Sequence, residues 1–368
     1  MIRPLVLKTA ISFAKKSAFQ RKTMSRNLPK TMKAVGLYEY LPISDTNSLL
    51  DLEVNIPDIT DNQVLVAVKA TSVNPIDTKQ RAPKAQVESQ PRILGWDGAG
   101  IVVDKGSRVK SFGIGDEVFF TGSLSTNGSN AEFVALDQVS VGRKPKNFSF
   151  EEAAAMPLTT VTAFEALFDR MHLSEAKDKG KTLLIINSAG GVGSIASQLA
   201  KNIGMKIIGT ASRPETKNFT SIYGSEIVLN HKHDLIPQLE LCGYQNRVDY
   251  ILINYDPYPY WDTLMKIIKP QGTICLIVDC SGLVDIRPLK DKSVTLVSEM
   301  METRVKYNTE DKYRRAEILE EVSKMFEDGR LKHTLTKVMS PINAANLREA
   351  HRLIEEKQVY GKLVLSGF

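Results

Sequence analysis

The second half of the chain alternates short apolar runs with segments whose apolar residues repeat at helical spacing. The apolar runs predict strands at 182–187, 205–210, 226–229, 248–254 and 273–278. Helices are predicted between them at 191–203, 214–223, near 234–241 and near 260–268. Strands that alternate with helices in this way build a doubly wound parallel sheet with right-handed crossovers, so an α/β fold is predicted.

The first half has a different pattern, in which glycine and proline separate short strands. Such punctuation is typical of small β-rich domains. The strands are predicted at Met32–Tyr38, Gln63–Ser72, Gly100–Val103, Glu117–Thr121, Ala131–Ala135 and Gln138–Gly142.

Helical patterning returns at Ser149, which has the capping-box spacing to Glu152. The first helix is expected to break at Pro157, and a second helix is predicted from Thr160 to His172. Later helices are predicted at about 316–329 and at 343–357. The final strand, 362–365, has no simple place in the alternating series, so we expect it to return to the β-rich domain.

These patterns divide the chain into two domains and a separate N-terminal segment. Residues 32–152, completed by 334–368, are predicted to form the β-rich domain, and residues 153–333 the α/β domain. Residues 1–31 hold eight of the 48 Lys and Arg residues and none of the 42 Asp and Glu residues. The remaining chain has a net charge of −2. This near-neutral net charge of residues 32–368 gives no support to nucleic-acid binding.

The basic N-terminal segment has the composition of a mitochondrial transit peptide, with positive charges spaced among apolar residues and no acids. It is alternatively a disordered basic extension, or untranslated sequence upstream of a start at Met24 or Met32, which would leave the protein cytoplasmic. No apolar run in the sequence is long enough to span a bilayer. Three cysteines argue against a disulfide framework.

A glycine turn follows the first predicted strand of the α/β half and carries the clearest chemical signal. Small residues in such a turn let the backbone approach a pyrophosphate, and the next helix points its N-terminal N–H groups at the anion. We assign cofactor binding to Ser188, Ala189, Gly190, Gly191, Val192 and Gly193. Ser188 stands where the fingerprint has its first glycine, and tight turns of other α/β proteins also use glycine.

The residues at the end of the next strand indicate which dinucleotide, NAD or NADP, the protein binds. Sites for NAD usually carry an acid there for the ribose 2′-hydroxyl, whereas this chain has Ser212 and Arg213, with Lys217 shortly after. A hydroxyl and a guanidinium suit a 2′-phosphate, so NADPH is predicted. Glu215 is expected to be a first-turn helix acid. The alternative is that these residues belong to an ordinary surface loop.

Several motifs together resemble the medium-chain dehydrogenase/reductase superfamily, in its quinone oxidoreductase branch, and most of all the zinc-type alcohol dehydrogenase-like subfamily. The resemblance covers residues 32–368 and includes the segments 72–77, 94–100, 128–133, 153–159, the glycine turn, 210–216, 342–347 and 361–362. It implies a Rossmann-type sheet plus a GroES-like β-rich substrate domain. It also implies a homodimer, as in many relatives.

The resemblance raises the question of zinc, and the ligand positions contain the wrong residues. Zinc members use a Cys where this chain has Val73-Asn74, Gly-His-Glu where it has Gly95-Trp96-Asp97, and a later Cys or Asp near Met156-Pro157. Tetrahedral zinc needs nitrogen and sulfur ligands that these positions lack. The pair His231 and His233 is expected to lie in a solvated loop. No metal site is predicted.

The resemblance also implies roles for single residues, each with a structural alternative. Asn74 is the candidate catalytic hydrogen-bond donor, or it caps the turn before Pro75. Thr159, Thr162, Gly361 and Lys362 match segments that approach the cofactor. The alternative is that the threonines are ordinary helix hydroxyls and Lys362 is a solvated lysine.

Two further residues are assigned to the substrate pocket. They are Trp96, which is alternatively a core aromatic, and Asn254, which begins an unusually aromatic loop. Asp77 and Arg81 are expected to form a structural pair.

The sequence therefore predicts a zinc-independent, NADPH-dependent reductase of quinones or α,β-unsaturated carbonyls. Without a metal to polarise a carbonyl, hydride transfer to an activated double bond is the easier reaction. The alternatives are a cofactor-binding redox sensor or moonlighting protein without turnover and, further off, a zinc-dependent alcohol dehydrogenase.

Overall fold

The strands of the first half form antiparallel sheets. The structure, a computed structural model, describes residues 28–244 and 248–368. A three-stranded sheet has the order β2 (Leu50–Asn55), β1 (Thr31–Tyr40), β4 (Lys84–Ile93). A larger sheet contains β3 (Gln63–Val73), β5 (Asp97–Lys105), β6 (Glu117–Thr121), β7 (Phe133–Asp137) and β8 (Val141–Arg143).

The second half contains the predicted parallel sheet, with one more strand than expected. Its strands are β9 (Thr182–Ile186), β10 (Lys206–Thr210), β11 (Ile227–Leu229), β12 (Val248–Ile253), β13 (Ile268–Leu276) and β14 (Thr295–Ser298). The spatial order is β11-β10-β9-β12-β13-β14. The chain order reverses beside β9, so the carboxyl ends of β9 and β12 flank the crevice where open α/β sheets bind ligands. The predicted α/β class with a Rossmann-type sheet is confirmed.

Alternation of side chains explains why four consecutive residues of β9, Leu183 to Ile186, are apolar. Leu183 and Ile185 pack into the core on one face of the sheet, while Leu184 and Ile186 pack into a second core on the other. A parallel strand covered by helices on both faces has no solvent side, so these four positions are all apolar.

Twelve α-helices surround and connect the sheets in the described residues. They are α1 (Pro75–Arg81), α2 (Phe150–Ala154), α3 (Pro157–Phe164), α4 (Glu175–Asp178), α5 (Gly191–Asn202), α6 (Pro214–Ile222), α7 (Leu235–Leu241), α8 (Trp261–Ile267), α9 (Arg287–Asp291), α10 (Thr303–Lys306), α11 (Arg314–Glu327) and α12 (Ala344–Glu355). A π-helical turn, Glu165–Arg170, extends α3, and short 3₁₀ turns cover Gln138–Ser140 and Tyr258–Tyr260. Within the described residues, no helix has both the length and the apolar character needed to cross a membrane.

The helix boundaries after Ser149 partly match the prediction. Ser149 and Glu152 form the expected capping box, with hydrogen bonds of 3.1 Å and 2.8 Å between each side chain and the other residue's backbone N–H. The expected break between two helices is present, at residues 155–156, but the restart at Thr160 is wrong, because Pro157 is the first residue of α3. Proline suits that position, since the N–H it lacks would have no helical partner there.

The end of the chain joins the large antiparallel sheet. β15 (Leu335–Met339) and β16 (Lys362–Ser366) are parallel neighbours, and β16 runs antiparallel to β3 with Leu363 opposite Val73. Antiparallel pairing sets the start of one strand against the end of the other. Lys362, at the start of β16, is therefore brought beside Asn74, which directly follows β3. The domain limits set out above remain a prediction, and the basic segment 1–31 lies outside the described residues except for residues 28–31.

Candidate active site

The glycine turn connects β9 to α5 as predicted for a phosphate-binding turn. Asn187 has a φ of 60°, and Gly190 caps α5. A Cβ on Gly193 would lie 2.6 Å from the Cα of Ser188, closer than packed atoms allow. Gly193 therefore lets the first turn of α5 pack tightly against the turn that precedes it.

Ser188 lies in this turn, but its side chain is directed into the protein. The residue is fully buried, and its Oγ donates to the carbonyl of Thr210 at 3.2 Å and lies 3.3 Å from the hydroxyl of Thr220. The Ser188 hydroxyl thus holds the turn against β10 and α6. Its predicted contribution to phosphate binding is confined to the backbone.

The C-terminal segment is attached directly to the glycine turn. The backbone N–H of Gly361 donates to the carbonyl of Ala189 at 2.8 Å. A Cβ on Gly191 would lie 2.7 Å from Cγ2 of Thr159 and 2.8 Å from Cδ of Lys362. Gly191 therefore gives room to two of the predicted cofactor-segment residues, and Val192 packs against the adjoining core.

The residues expected at a 2′-phosphate lie together after β10. Ser212 and Arg213 are partly buried, and Arg213 is the N-terminal cap residue of α6. The Arg213 Nε is 3.2 Å from a Glu215 carboxylate oxygen, and both side chains are more than one-third exposed. The backbone N–H of Lys217 donates to the carbonyl of Arg213 at 2.9 Å, which places Lys217 one helical turn further along. Glu215 lies in the first turn of the helix, as predicted.

A buried polar cluster lies next to Gly191, where the Lys362 stem passes it. It consists of Asn74, Asp97 and Lys362, each at most 3% exposed. Asp97 Oδ2 accepts from Lys362 Nζ at 3.0 Å and from Asn74 Nδ2 at 3.1 Å, and Lys362 Nζ also donates to Asn74 Oδ1. The other Asp97 oxygen, Oδ1, accepts from the backbone N–H of Leu158 at 3.0 Å. These bonds form a closed triangle of a carboxamide, a carboxylate and an ammonium.

The contacts of this cluster bear on the alternatives left open for Asn74 and Lys362. The N–H of Asp77 donates to the backbone carbonyl of Asn74, and the N–H of Asn74 donates to Asp77 Oδ2 at 2.8 Å. Asn74 is therefore the N-terminal cap residue of α1, as one alternative proposed, and its carboxamide is also held by Asp97 and Lys362. The alternative of a solvated Lys362 is wrong, because the residue is buried and its Nζ is bound by Asn74 and Asp97.

Two carboxyl groups are buried here, that of Asp97 within the cluster and that of Asp77 beside it. Burial raises the pKa of Asp77 to about 7, and the N–H of Asn74 opposes that rise. Burial also raises the pKa of Asp97, while the charge of Lys362 lowers it. The expected pair between Asp77 and Arg81 is wrong: Arg81 is bound by Glu355 and by the carbonyl of Leu41.

The two threonines of α3 use their hydroxyls within the helix. Thr159 Oγ1 donates to the carbonyl of Met156 at 3.3 Å, and Thr162 Oγ1 donates to the carbonyl of Leu158 at 2.8 Å. Both side chains are less than one-tenth exposed. Thr159 adjoins the glycine turn through its methyl group, so the structure brings it, rather than Thr162, into contact with Gly191.

The two predicted pocket residues have different surroundings. Trp96 is 2% exposed, and its Nε1 donates to the carbonyl of Ser123 at 2.7 Å, so the indole is part of the core. Asn254 follows β12 at the crevice, and its backbone N–H donates to the carbonyl of Ile186 at 3.3 Å. Within the described residues, neither polar side-chain atom of Asn254 has a hydrogen-bond partner, although both atoms are buried.

The residues at the former zinc positions do not fit a zinc ion. Asn74 and Asp97 occupy two of these positions, and Lys362 Nζ lies 3.0 Å from the Asp97 carboxylate. An ammonium in that place repels a divalent cation, and a carboxamide is a poor substitute for a cysteine thiolate. His233 is exposed, and burial lowers the pKa of the half-buried His231. Within the described residues, no three His, Cys, Asp or Glu side chains are grouped as a metal site.

The fold and site define a nicotinamide-dependent oxidoreductase, and comparison with known proteins identifies its family. Residues 60–157 match the alcohol dehydrogenase GroES-like domain, and residues 226–365 match the zinc-binding dehydrogenase domain. A zinc-type alcohol dehydrogenase-like protein from Staphylococcus epidermidis is 40% identical over 91% of this chain and 99% of its own length. The chain belongs to the medium-chain dehydrogenase/reductase superfamily, among the zinc-type alcohol dehydrogenase-like proteins.

Two other comparisons extend this assignment. The crystal structure of a putative zinc-dependent alcohol dehydrogenase from Rhizobium etli CFN 42 has a TM-score of 0.87 and 40% identity, over 93% of this chain and 99% of that one. An NADPH-dependent alkenal/one oxidoreductase of Arabidopsis thaliana is 34% identical over 73% of this chain and 68% of its own length. Solved quinone oxidoreductases also share the fold.

Sequence reasoning missed the part played by Asp97. Residues Asp97 and Lys362 are separated by 265 positions. In the sequence, Asp97 stood out only because it replaces a glutamate of the zinc-binding motif. No neighbouring residue indicated that it pairs with a cation. The usable signal was a pair of opposite charges at two motif positions that the fold brings together.

Proposed function

We propose that the protein is a zinc-independent, NADPH-dependent reductase of α,β-unsaturated carbonyls or quinones. The observation that carries this proposal is the buried cluster of Asn74, Asp97 and Lys362, which packs against the cofactor turn at Gly191. A hydrogen-bond donor and a fixed charge pair thus adjoin the crevice, in the place where zinc enzymes hold their metal.

The residues present suit a nicotinamide dinucleotide with a 2′-phosphate. The glycine turn and the N-terminus of α5 would hold the pyrophosphate, since helix N-termini favour anions. Arg213, with Ser212 and Lys217 beside it, would hold the 2′-phosphate. Within the described part of the chain, the Arg213 guanidinium has one ion-pair partner, the partly exposed Glu215, so it can turn to a stronger anionic partner.

The proposed reaction reduces an activated double bond in two steps. The bound dihydronicotinamide supplies a hydride to the electron-poor carbon of the acceptor. The electron pair of the double bond moves to the carbonyl or quinone oxygen, which becomes an enolate or quinolate. Asn74 Nδ2–H donates to that oxygen as its charge develops. A proton from water completes the saturated carbonyl compound or the hydroquinone.

The substrate class has support from chemistry and from a relative. The site offers the Asn74 carboxamide as a neutral donor, held by the Asp97–Lys362 pair, and such a donor suits an acceptor that carries its own conjugated oxygen. The Arabidopsis relative is an NADPH-dependent alkenal/one oxidoreductase. Asn254, with two unpaired buried amide atoms at the crevice, is a candidate contact for the acceptor or the cofactor. Trp96, whose indole is part of the core, would support the wall of the substrate pocket.

Assays of NADPH oxidation with a panel of enals, enones and quinones test this function. Turnover that falls strongly in Asn74→Ala, with NADPH affinity retained, supports it. Tight NADPH binding without turnover on any acceptor would instead favour a redox sensor or another non-catalytic role. Activity lost to a chelator, together with one zinc per chain, would favour an alcohol dehydrogenase.

We also propose a homodimer formed through the outer edge of the parallel sheet. β14 is the last strand of that sheet in the described residues. Leu296 lies on β14 and Met300 two residues after it, and both are exposed, as are Leu283 and Ile286 in the segment between β13 and β14. An open strand edge bordered by apolar groups is a site for pairing, and a twofold axis would join two such edges.

A mitochondrial location is proposed for the form that begins at Met1. The staphylococcal relatives are bacterial and give this proposal no support. A reporter fused to residues 1–31 tests it: import into mitochondria supports the transit peptide, and a diffuse cytosolic signal rejects it.

A further inference from the structure

Lys362 was expected to approach the cofactor, but its charged group is used elsewhere. The stem of Lys362 passes Gly191, and its Nζ donates to Asn74 and to Asp97. Those two acceptors belong to the β-rich half of the chain, which is the proposed substrate domain. The contact of Lys362 with the cofactor turn is therefore through carbon atoms, and its ammonium serves the polar cluster.

The charges around Asn74 allow one orientation of its carboxamide. The oxygen faces the Lys362 ammonium, and the nitrogen faces the Asp97 carboxylate. A rotated amide would set its oxygen against the carboxylate and its N–H groups against the ammonium, and each contact would be repulsive. Burial of all three groups strengthens this selection, because water cannot screen it.

The orientation matters because Asn74 is the proposed donor. Within the described residues, Nδ2 donates one hydrogen bond, to Asp97 Oδ2. A primary amide nitrogen carries two hydrogens, so the second remains for the acceptor oxygen. With the amide rotated, a lone pair would replace this hydrogen and would repel the developing negative charge.

We propose that Lys362 is a positioning residue: paired with Asp97, it orients the Asn74 carboxamide so that Nδ2–H donates to the acceptor oxygen. This inference rests on the proposed reductase function. It assigns Lys362 to the substrate side, although the residue lies in a segment expected to bind cofactor. The ammonium does not contact the acceptor; it acts through Asn74.

The kinetic test compares Lys362→Met, which keeps the stem and removes the charge, with Asn74→Ala and the double variant. We expect Lys362→Met to lower kcat on the order of 10-fold or more while the Kd for NADPH changes less than about twofold. The double variant should be no slower than Asn74→Ala, since Lys362 acts through Asn74. Lys337→Met, an exposed lysine on the neighbouring strand β15, is the matched control and should leave both values unchanged.

Two kinetic outcomes would overturn the inference. One is a loss of NADPH affinity in Lys362→Met as large as its loss of kcat, which would make Lys362 a cofactor ligand. The other is a double variant whose loss equals the product of the two single losses, which would mean that the two residues act independently.

A second measurement needs no acceptor and so separates this inference from the function itself. In protein labelled with ¹⁵N-asparagine, the Nδ2 signals of Asn74 are identified by their absence in Asn74→Ala. We expect two distinct protons in the unaltered protein, one exchanging slowly because Asp97 accepts it. Lys362→Met should speed that exchange markedly, even if no acceptor is ever turned over. Identical signals and exchange in the two proteins would refute the orienting role.

Discussion

The ammonium of Lys362 lies 3.0 Å from the carboxylate of Asp97, in a site from which water is almost completely excluded. One residue is in a β-rich sheet that begins near the N-terminus, and the other opens the last strand of the chain. Because β16 adds to that sheet beside β3, the C-terminus completes the site. Asp97 stands at a position where the resemblance places part of a zinc-binding motif. The Lys362 ammonium pairs with that carboxylate and has no metal-ligand role, since it donates to Asp97 and to Asn74.

The assignment of Arg213 to the 2′-phosphate predicts a change in cofactor preference. Arg213→Ala should weaken NADPH binding about 10- to 100-fold, the usual effect of losing a charge-assisted hydrogen bond, and should leave NADH nearly unchanged. Fluorescence titration with both cofactors measures this. Arg287→Ala, an exposed arginine paired with Asp285, is the control. Equal losses for NADPH and NADH would remove Arg213 from the 2′-phosphate site.

Gly191 is predicted to be a position where one methyl group disturbs both halves of the site. In Gly191→Ala, the new Cβ would be forced against Thr159 and the stem of Lys362, at 2.7 Å and 2.8 Å. Overpacking of this kind costs about 1–3 kcal/mol, so kcat/KM should fall on the order of 10-fold. Gly113→Ala is the control, since its Cβ would have no neighbour nearer than 3.8 Å. Steady-state kinetics of both variants measures this fall in kcat/KM. A Gly191→Ala variant as active as the unaltered protein would show that the turn tolerates the methyl group.

His351 predicts a loss of stability in acid that is separate from the active site. The side chain is fully buried in α12, and burial lowers its pKa to about 3, with the charge of Arg81 adding to the effect. Between about pH 6.5 and pH 3 the unfolded chain binds the proton and the folded chain does not. The free energy of unfolding should therefore fall as the pH falls through this window, by roughly 1.4 kcal/mol per pH unit for this group.

The variant His351→Leu isolates this contribution. Urea unfolding at several pH values should show a shallower acid slope for the variant than for the unaltered protein. Stability above pH 7 should change little, because within the described residues neither ring nitrogen has a hydrogen-bond partner to lose. Parallel slopes would show that His351 is charged in the folded protein.

The proposed dimer predicts that charges on the edge of β14 produce monomers. Leu296→Asp together with Met300→Asp replaces two exposed apolar side chains by carboxylates that would face each other across a twofold axis. Sedimentation should then show a monomer where the unaltered protein shows a dimer. Val87→Asp, at an exposed apolar residue of β4, should leave the mass unchanged. A dimer that survives the double substitution would place the interface elsewhere.

Sequence periodicity predicted the elements with a buried face. β9 and α5 were predicted to within about a residue, because buried strands are uniformly apolar and a glycine turn separates the two. β4 was missed because most of its residues are exposed and polar, so it carries no apolar signal. β14 was missed for the same reason, as an edge strand with exposed side chains.

In the site, too, features formed by neighbours in the sequence could be predicted, whereas features formed by distant residues could not. The glycine turn and the Ser212–Arg213 pair were visible because neighbours in sequence form them. The orientation of Lys362 was not, because it depends on the pairing of β16 with β3. The sequence also could not reveal that Ser188 points into the protein, since Thr210 and Thr220 must first be folded around it.

Hydride transfer to an activated double bond is tested most directly with NADPH that carries deuterium at the transferring C4 position. The enzyme and an enone are incubated with this cofactor in ordinary water, and the product is examined by NMR. We expect a saturated ketone with one deuterium on the β-carbon and a solvent hydrogen on the α-carbon. Deuterium on a carbinol carbon, or NADPH that binds without any transfer of label, would contradict it.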